Sequence, residues 1–111
     1  MKNILLFLLV AGCSQTGSIT GIYVKHVESE YTIGEDTVFI STANNTQFVL
    51  ERHTWYQRIK NGKLSDKQMK IQHSLIDNIG NNKYQDTKTG ASLVFNKQEL
   101  LLGTAEYQKI Q

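Results

Sequence analysis

The residues able to do chemistry in this chain of 111 are few and scattered. The three histidines, His26, His53 and His73, invite a metal reading, since imidazole is a common zinc ligand. None stands two or four residues from another, so each is expected to pack at a strand position with one nitrogen hydrogen-bonded, and no metal site is expected. Serines are present, but none lies in the Gly-x-Ser-x-Gly turn that exposes a nucleophile. Glu28 and Glu30 share a face, as a glycosidase acid pair would, yet they fall in a turn-like segment where solvation accounts for them. Glycine-rich phosphate loops are absent. The chain is therefore read as a non-enzyme without a cofactor. What remains is a candidate recognition patch, Trp55, Tyr56, Arg58, Lys60 and Lys63, in which Trp, Tyr and Arg are the types that dominate interface hot spots. Neighbours on a strand point to opposite faces, so one of the two rings is expected in the core and the other exposed or under a loop. The plainer alternative is that both rings support the hairpin that follows them.

The only thiol, Cys13, sits in a different setting. Lys2 supplies a positive charge, Ile4 to Val10 is an unbroken apolar run, and Val10-Ala11-Gly12 puts two small residues directly before the cysteine. The run is too short to span a bilayer, which takes roughly 20 apolar residues, and it reads as a secretory signal. Val10-Ala11-Gly12-Cys13 resembles the lipobox of bacterial lipoproteins; the alternative is a thiol buried in a first helix or strand. In that family the signal is cut before the cysteine, whose sulfur receives a diacylglyceryl group and whose new amine is often acylated. The resemblance implies a signal peptide over 1–12 and a lipid-anchored Cys13. It also implies residence at the bacterial cell envelope, on the outer membrane where the cell has one. Each buried methylene adds about 0.8 kcal/mol to membrane binding, so two or three chains make a lasting anchor.

Removing 12 residues leaves 99, enough for one small domain over 21–111 after a lipidated tether over 13–20. No other cysteine remains, so an internal disulfide and a cysteine-ligated metal are excluded. The formal net charge of +2 is too near neutral to suggest nucleic acid as a partner. Its distribution is uneven. Lys25 faces Glu28, Glu30, Glu35 and Asp36 in residues 14–45, a net of −3. Arg52, Arg58, Lys60, Lys63, Lys67 and Lys70 face only Glu51 and Asp66 in residues 46–75, a net of +4. Either these charges line solvated strand faces, or they form a basic surface for phosphate head groups or an acidic partner.

The elements that must position these residues read as strands. Ser14 to about Thr20 is small and polar, a tether spanning roughly 15 Å. Ile22–Val27 and Thr37–Thr42 are rich in β-branched and aromatic residues, with Glu28–Asp36 and its Gly34 as a turn between them. Thr46–Ile59 is the longest such stretch, and its alternation slips near His53-Thr54, which predicts a bulge or two shorter strands. Asn61-Gly62 is a hairpin signal, because both central residues of a type I′ turn need positive φ. A two-residue turn there pairs Ile59 with Leu64, Arg58 with Ser65 and Trp55 with Gln68. From Lys67 to Leu75, Met69, Ile71, His73 and Leu75 share one face of a strand, with a helix as the competing reading. Tyr84 anchors a short strand; 91–95, 100–102 and 105–110 supply the last ones, with Gly103 at a bulge or bend.

Seven or eight short strands with glycine and asparagine turns predict an all-β, antiparallel meander, barrel or sandwich. Gly21-Ile22-Tyr23 at the start and Tyr107-Gln108-Lys109 at the end resemble small lipocalin-like domains, which usually open on Gly-x-Trp and close on an aromatic-x-Arg strand. That resemblance implies a barrel. Tyr and Lys occupy the Trp and Arg places, so the family's Arg-on-Trp closing contact is not expected. Two functions follow. The first is a membrane-anchored lipoprotein acting by binding an envelope protein, as assembly factors, exclusion proteins of mobile elements and inhibitors of cell-wall hydrolases do. The second is a carrier holding an apolar small molecule inside the barrel.

Overall fold

Period-two alternation and positive-φ turns shape residues 19–111, which are those described by the computed structural model. Its strands are β1 (Gly21–Glu28), β2 (Thr32–Thr42), β3 (Gln47–Lys60), β4 (Lys63–Leu64), β5 (Gln68–Gly80), β6 (Lys83–Asp86), β7 (Ser92–Phe95), β8 (Glu99–Leu102) and β9 (Ala105–Lys109). The apolar run and Cys13 lie outside the described residues. Every neighbouring pair is antiparallel, in the order β1-β2-β3-β5-β6-β7-β8-β9, and β9 returns to β1 through Tyr23↔Lys109 and Val24↔Gln108. Eight strands thus close a barrel, with β4 as an added short strand on β3.

An eight-stranded barrel is just wide enough for its own side chains to fill. Here Tyr23, Val38, Ile40, Leu50, Ile76, Tyr84, Leu93, Phe95, Leu100 and Tyr107 fill it, and Ile19 packs beneath them. Phe95 stacks edge-on with Tyr23 and Tyr84 at centroid distances of 5.5 and 5.4 Å, and Phe48 with Tyr84 at 5.7 Å. Such pairs add to stability beyond the area they bury. Ile19 was expected in the tether. It is buried instead, and its carbonyl accepts a hydrogen bond from the Tyr23 hydroxyl at 2.7 Å. At the seam, Lys109 Nζ lies 5.9 Å from the centre of the Tyr23 ring. A Lys-on-Tyr contact thus joins the first and last strands, with no Arg-on-Trp pair there.

The barrel is lopsided, and that asymmetry shapes everything above it. β6 to β9 are four or five residues long, whereas β2, β3 and β5 have 11, 14 and 13. β1 pairs with β9 only as far as Val24, and β5 pairs with β6 only from Ile76 onward. The upper parts of β1, β2, β3 and β5 consequently stand beyond the barrel as a four-stranded overhang. From Leu50, level with the lower end of β1, to Lys60 at the tip is about 33 Å of extended chain.

Three expectations change in this overhang. Gly34 belongs to no turn: β2 begins at Thr32, and Gly34 pairs with Tyr56 inside the sheet. A Cβ on Gly34 would stand 2.4 Å from the Trp55 carbonyl oxygen, so only glycine fits. The bulge at His53-Thr54 is absent, since the β2–β3 ladder runs unbroken from Thr32↔Arg58 to Thr42↔Phe48. What slips is the apolar face. Inside the closed barrel Phe48 and Leu50 point inward; beyond it the interior side carries Arg52 and Thr54, and the outer side carries Trp55. The tip itself matches expectation, with Asn61 and Gly62 at φ 52° and 75° and Ile59 opposite Leu64. However, Gln68 pairs with Tyr56 rather than Trp55, because one extra residue is accommodated between Leu64 and Gln68. A one-residue slip exchanges faces. Met69 and Ile71 accordingly sit beside Trp55 and His53 on the outside, 62% and 54% exposed, while Gln68, Lys70, Gln72 and Ser74 look toward the barrel mouth.

Candidate recognition site

Where the closed barrel gives way to the overhang, one buried carboxylate ties three strands together. Asp36 of β2 is 5% exposed and shares its face with Val38 and Ile40. Its Oδ1 accepts from Arg52 Nε at 3.0 Å and Thr54 Oγ1 at 3.2 Å; its Oδ2 accepts from Arg52 Nη2 and the Tyr107 hydroxyl, each at 2.6 Å. A fork of this kind is among the stronger side-chain interactions in proteins. Burial pushes the Asp36 carboxyl up, but the bonds from Arg52, Tyr107 and Thr54 outweigh it and hold it below the usual range. Burial and the bond to Asp36 raise Tyr107 well above an ordinary phenol, so it stays a donor. The network plugs the mouth and leaves the apolar core below it.

Beside the plug, a cleft of about 240 Å³ opens between β5 and the turns after β6 and β8, with Arg52, Gln72, Ser74, Asp86, Lys88 and Tyr107 on its walls. Its polar groups serve the protein. Asp86 accepts from Ser74 Oγ at 2.9 Å and from the Lys88 and Thr89 amides at 2.8 and 3.2 Å. Lys88 Nζ donates to the His73 carbonyl at 3.2 Å. No buried side-chain nitrogen or oxygen among the described residues lacks a partner.

The residues singled out as a recognition patch all lie on the overhang, though on two faces. Trp55 is on the convex outer face, half-buried, with Lys67 Nζ 4.2 Å from its ring centre. Tyr56 points to the concave side against Gly34. Arg58, Lys60 and Lys63 are exposed near the tip. Among the described residues, Arg58, Lys60, Lys63 and Lys70 belong to no ion pair. Glu28 and Glu30 are exposed at the β1–β2 turn, so acidic and basic residues separate laterally across the top.

Two of the three histidines, His53 and His73, meet at one carboxylate, which their spacing in the sequence does not show. Glu51 of β3 accepts from His53 on its own strand, and its other oxygen lies 3.2 Å from His73 Nε2 on β5. Phe39 packs against the His53 ring at 4.9 Å. The His53 hydrogen bond, with the nearby histidines, lowers the Glu51 carboxyl. His26 pairs separately with Glu35 at 3.1 Å. No group of three His, Cys, Asp or Glu among the described residues is arranged to hold a metal ion.

Sequence reasoning missed Asp36, Arg52, Thr54 and Tyr107. The available signal was Asp36 in step with Val38 and Ile40, and Arg52 in step with Leu50. A polar residue in phase with a core face calls for a buried partner. No protein-family model matches this chain, and neither does any curated protein or solved structure.

Proposed function

We propose that this chain is a lipid-anchored protein of the bacterial envelope that acts by binding another envelope protein, with the overhang as its recognition end. The observation that carries this reading is the placement of the overhang. The chain enters the barrel at Ile19 and Gly21, and Lys60 at the hairpin tip, with Arg58 and Lys63 beside it, lies some 33 Å along β3 from that level. With Cys13 lipid-anchored, the few residues between it and Ile19 would be too short to carry the lower end far from the lipid. Arg58, Lys60 and Lys63 then face away from it, which favours an acidic protein over the anchoring membrane's own head groups. The aromatic packing of the interior weighs against the carrier reading, since an apolar ligand would have to displace Tyr23, Tyr84 or Phe95.

Exposed charges interact weakly one at a time, but together they steer encounter, and salt screens them over about 8 Å at physiological ionic strength. The test compares the soluble body, residues 14–111, with a variant carrying Gln at positions 58, 60 and 63. Both are applied to detergent extracts of the envelope at low and high salt. The wild type should bind more strongly at low salt, and the triple change should reduce that binding without altering the circular dichroism spectrum. Binding indifferent to both would return the apolar carrier to favour.

A further inference from the structure

The overhang leaves part of β5 without a neighbour. β6 pairs with β5 only from Ile76 onward, and above it the same side of the strand is met at only two carbonyls, that of Leu75 also accepting from the Thr87 hydroxyl at 3.0 Å. The Leu75 carbonyl accepts from the Thr87 amide at 2.9 Å, and the His73 carbonyl accepts from Lys88 Nζ. Backbone groups alternate along a strand, so the amides and carbonyls of Met69 and Ile71 point the same way as those of His73 and Leu75. No strand lies beside them among the described residues.

We infer that this edge of β5, Gln68 to His73, binds an extended acidic segment of a partner protein, which joins the sheet as an additional strand. The inference rests on the recognition reading above and gives it a mode of binding. Native proteins usually blunt long apolar edges, because an open ladder is a template for another chain. Here the edge strand keeps an unbroken register with β3, carries Met69 and Ile71 on its outer side, and has no proline. Strand addition takes affinity from main-chain hydrogen bonds and specificity from alternate side chains. Lys67, Lys70 and Lys88 flank the edge; Lys67 lies over the Trp55 ring and Lys88 donates to a backbone carbonyl, while Lys70 is exposed. Of the nearby acids, Glu51 is held by two histidines and Asp86 by Ser74 and two amides, while exposed Asp66 offsets one of the three lysines and leaves the edge net basic. A partner strand would therefore place apolar residues beside Met69 and Ile71 and acidic ones beside Lys70. Two copies joined through β5 would bring their own lysines together. The free upper part of β1 carries Glu28 and Lys25, with Glu30 in the turn after it, so pairing of that edge with β5 of a second copy is the alternative that the test separates.

The test uses residues 19–111 and the synthetic peptide Thr-Val-Glu-Val-Glu-Val-Thr, capped at both ends, with backbone amide exchange and titration as readouts. Peptide addition should slow exchange at the Met69 and Ile71 amides. Ile71→Pro removes an outward N–H, a change edge strands tolerate, and should weaken peptide binding at least tenfold. The same peptide N-methylated at alternate residues should fail to bind the unaltered protein, which keeps the test decisive should the proline variant not fold. Peptide binding that leaves both amides exchanging freely would overturn the inference, as would concentration-dependent self-association abolished by Ile71→Pro. Envelope binding that is lost in the Gln variant at 58, 60 and 63 yet unchanged in Ile71→Pro would remove the edge mode and leave the recognition reading standing.

Discussion

At the scale of single residues, Asp36 has the most to lose. It accepts four hydrogen bonds' worth of donors from Arg52, Thr54 and Tyr107, and Arg52 has no other carboxylate within reach. Breaking a buried pair costs about 3–5 kcal/mol, and the lower end applies because the Arg52 side chain is 34% exposed and partly solvated. Asp36→Asn should therefore lose about 3 kcal/mol in a urea titration at neutral pH. The pH dependence has a definite sign. The folded carboxyl titrates below its unfolded value of about 3.9, so its contribution is present above that pH and fades as the pH falls through the folded value. Wild-type stability should decline below about pH 4, and the Asn variant should show a shallower decline. Parallel pH profiles would remove the carboxylate from the account of acid stability. Tyr23, pushed up to about 12 by burial, stays neutral across the same range.

At the scale of elements, the β3–β4 hairpin and β5 obey different controls. The hairpin is local: Asn61 and Gly62 hold positive φ, and nothing lies within 4 Å of a Cβ added to Gly62. Gly62→Val meets no clash and carries only conformational strain, so it should lower the urea midpoint by an amount equivalent to at least ~1 kcal/mol. An unchanged midpoint would show that the tip is already frayed in solution. β5 is governed from outside itself. Its Met69-Ile71-His73-Leu75 face was legible as a face, but nothing within the strand says whether that face looks inward. The extra residue between Leu64 and Gln68 turns it outward. Trp55 and Lys67 then cover part of it, and Glu51 recruits His73.

At the scale of the whole molecule, the prediction concerns the anchor. If Cys13 is the lipidation site, Cys13→Ser should abolish lipid labelling in cells fed radiolabelled palmitate and leave an uncut precursor on gels. A normally cut, membrane-bound product from that variant would sink the lipobox resemblance. On the proposed reading, an anchor at Cys13 would hold the closed, apolar half of the barrel toward the lipid and the hairpin tip outward, so anchoring and recognition would use opposite ends of the barrel.

The sequence by itself determined the local features of this protein. Strand type in residues 19–111 follows from alternation, and the hairpin at 61–62 follows from two residues that tolerate positive φ. The all-β meander follows from short strands separated by asparagine and glycine, and the uneven charge is simply composition. None of these needs a contact beyond a few residues. Tertiary structure decided barrel over sandwich, through the Tyr23↔Lys109 pairing of segments more than 80 residues apart. It also decided which faces are interior, where the sheet stops being a ring, and which acids and bases meet. Those outcomes turn on how far each neighbour extends: because β6 to β9 are short, the same alternating pattern is core in one half of β3 and β5 and open surface in the other. Asp36 and Arg52 lie 16 residues apart on different strands, and only closure of the barrel removes enough water around them to make their pairing matter.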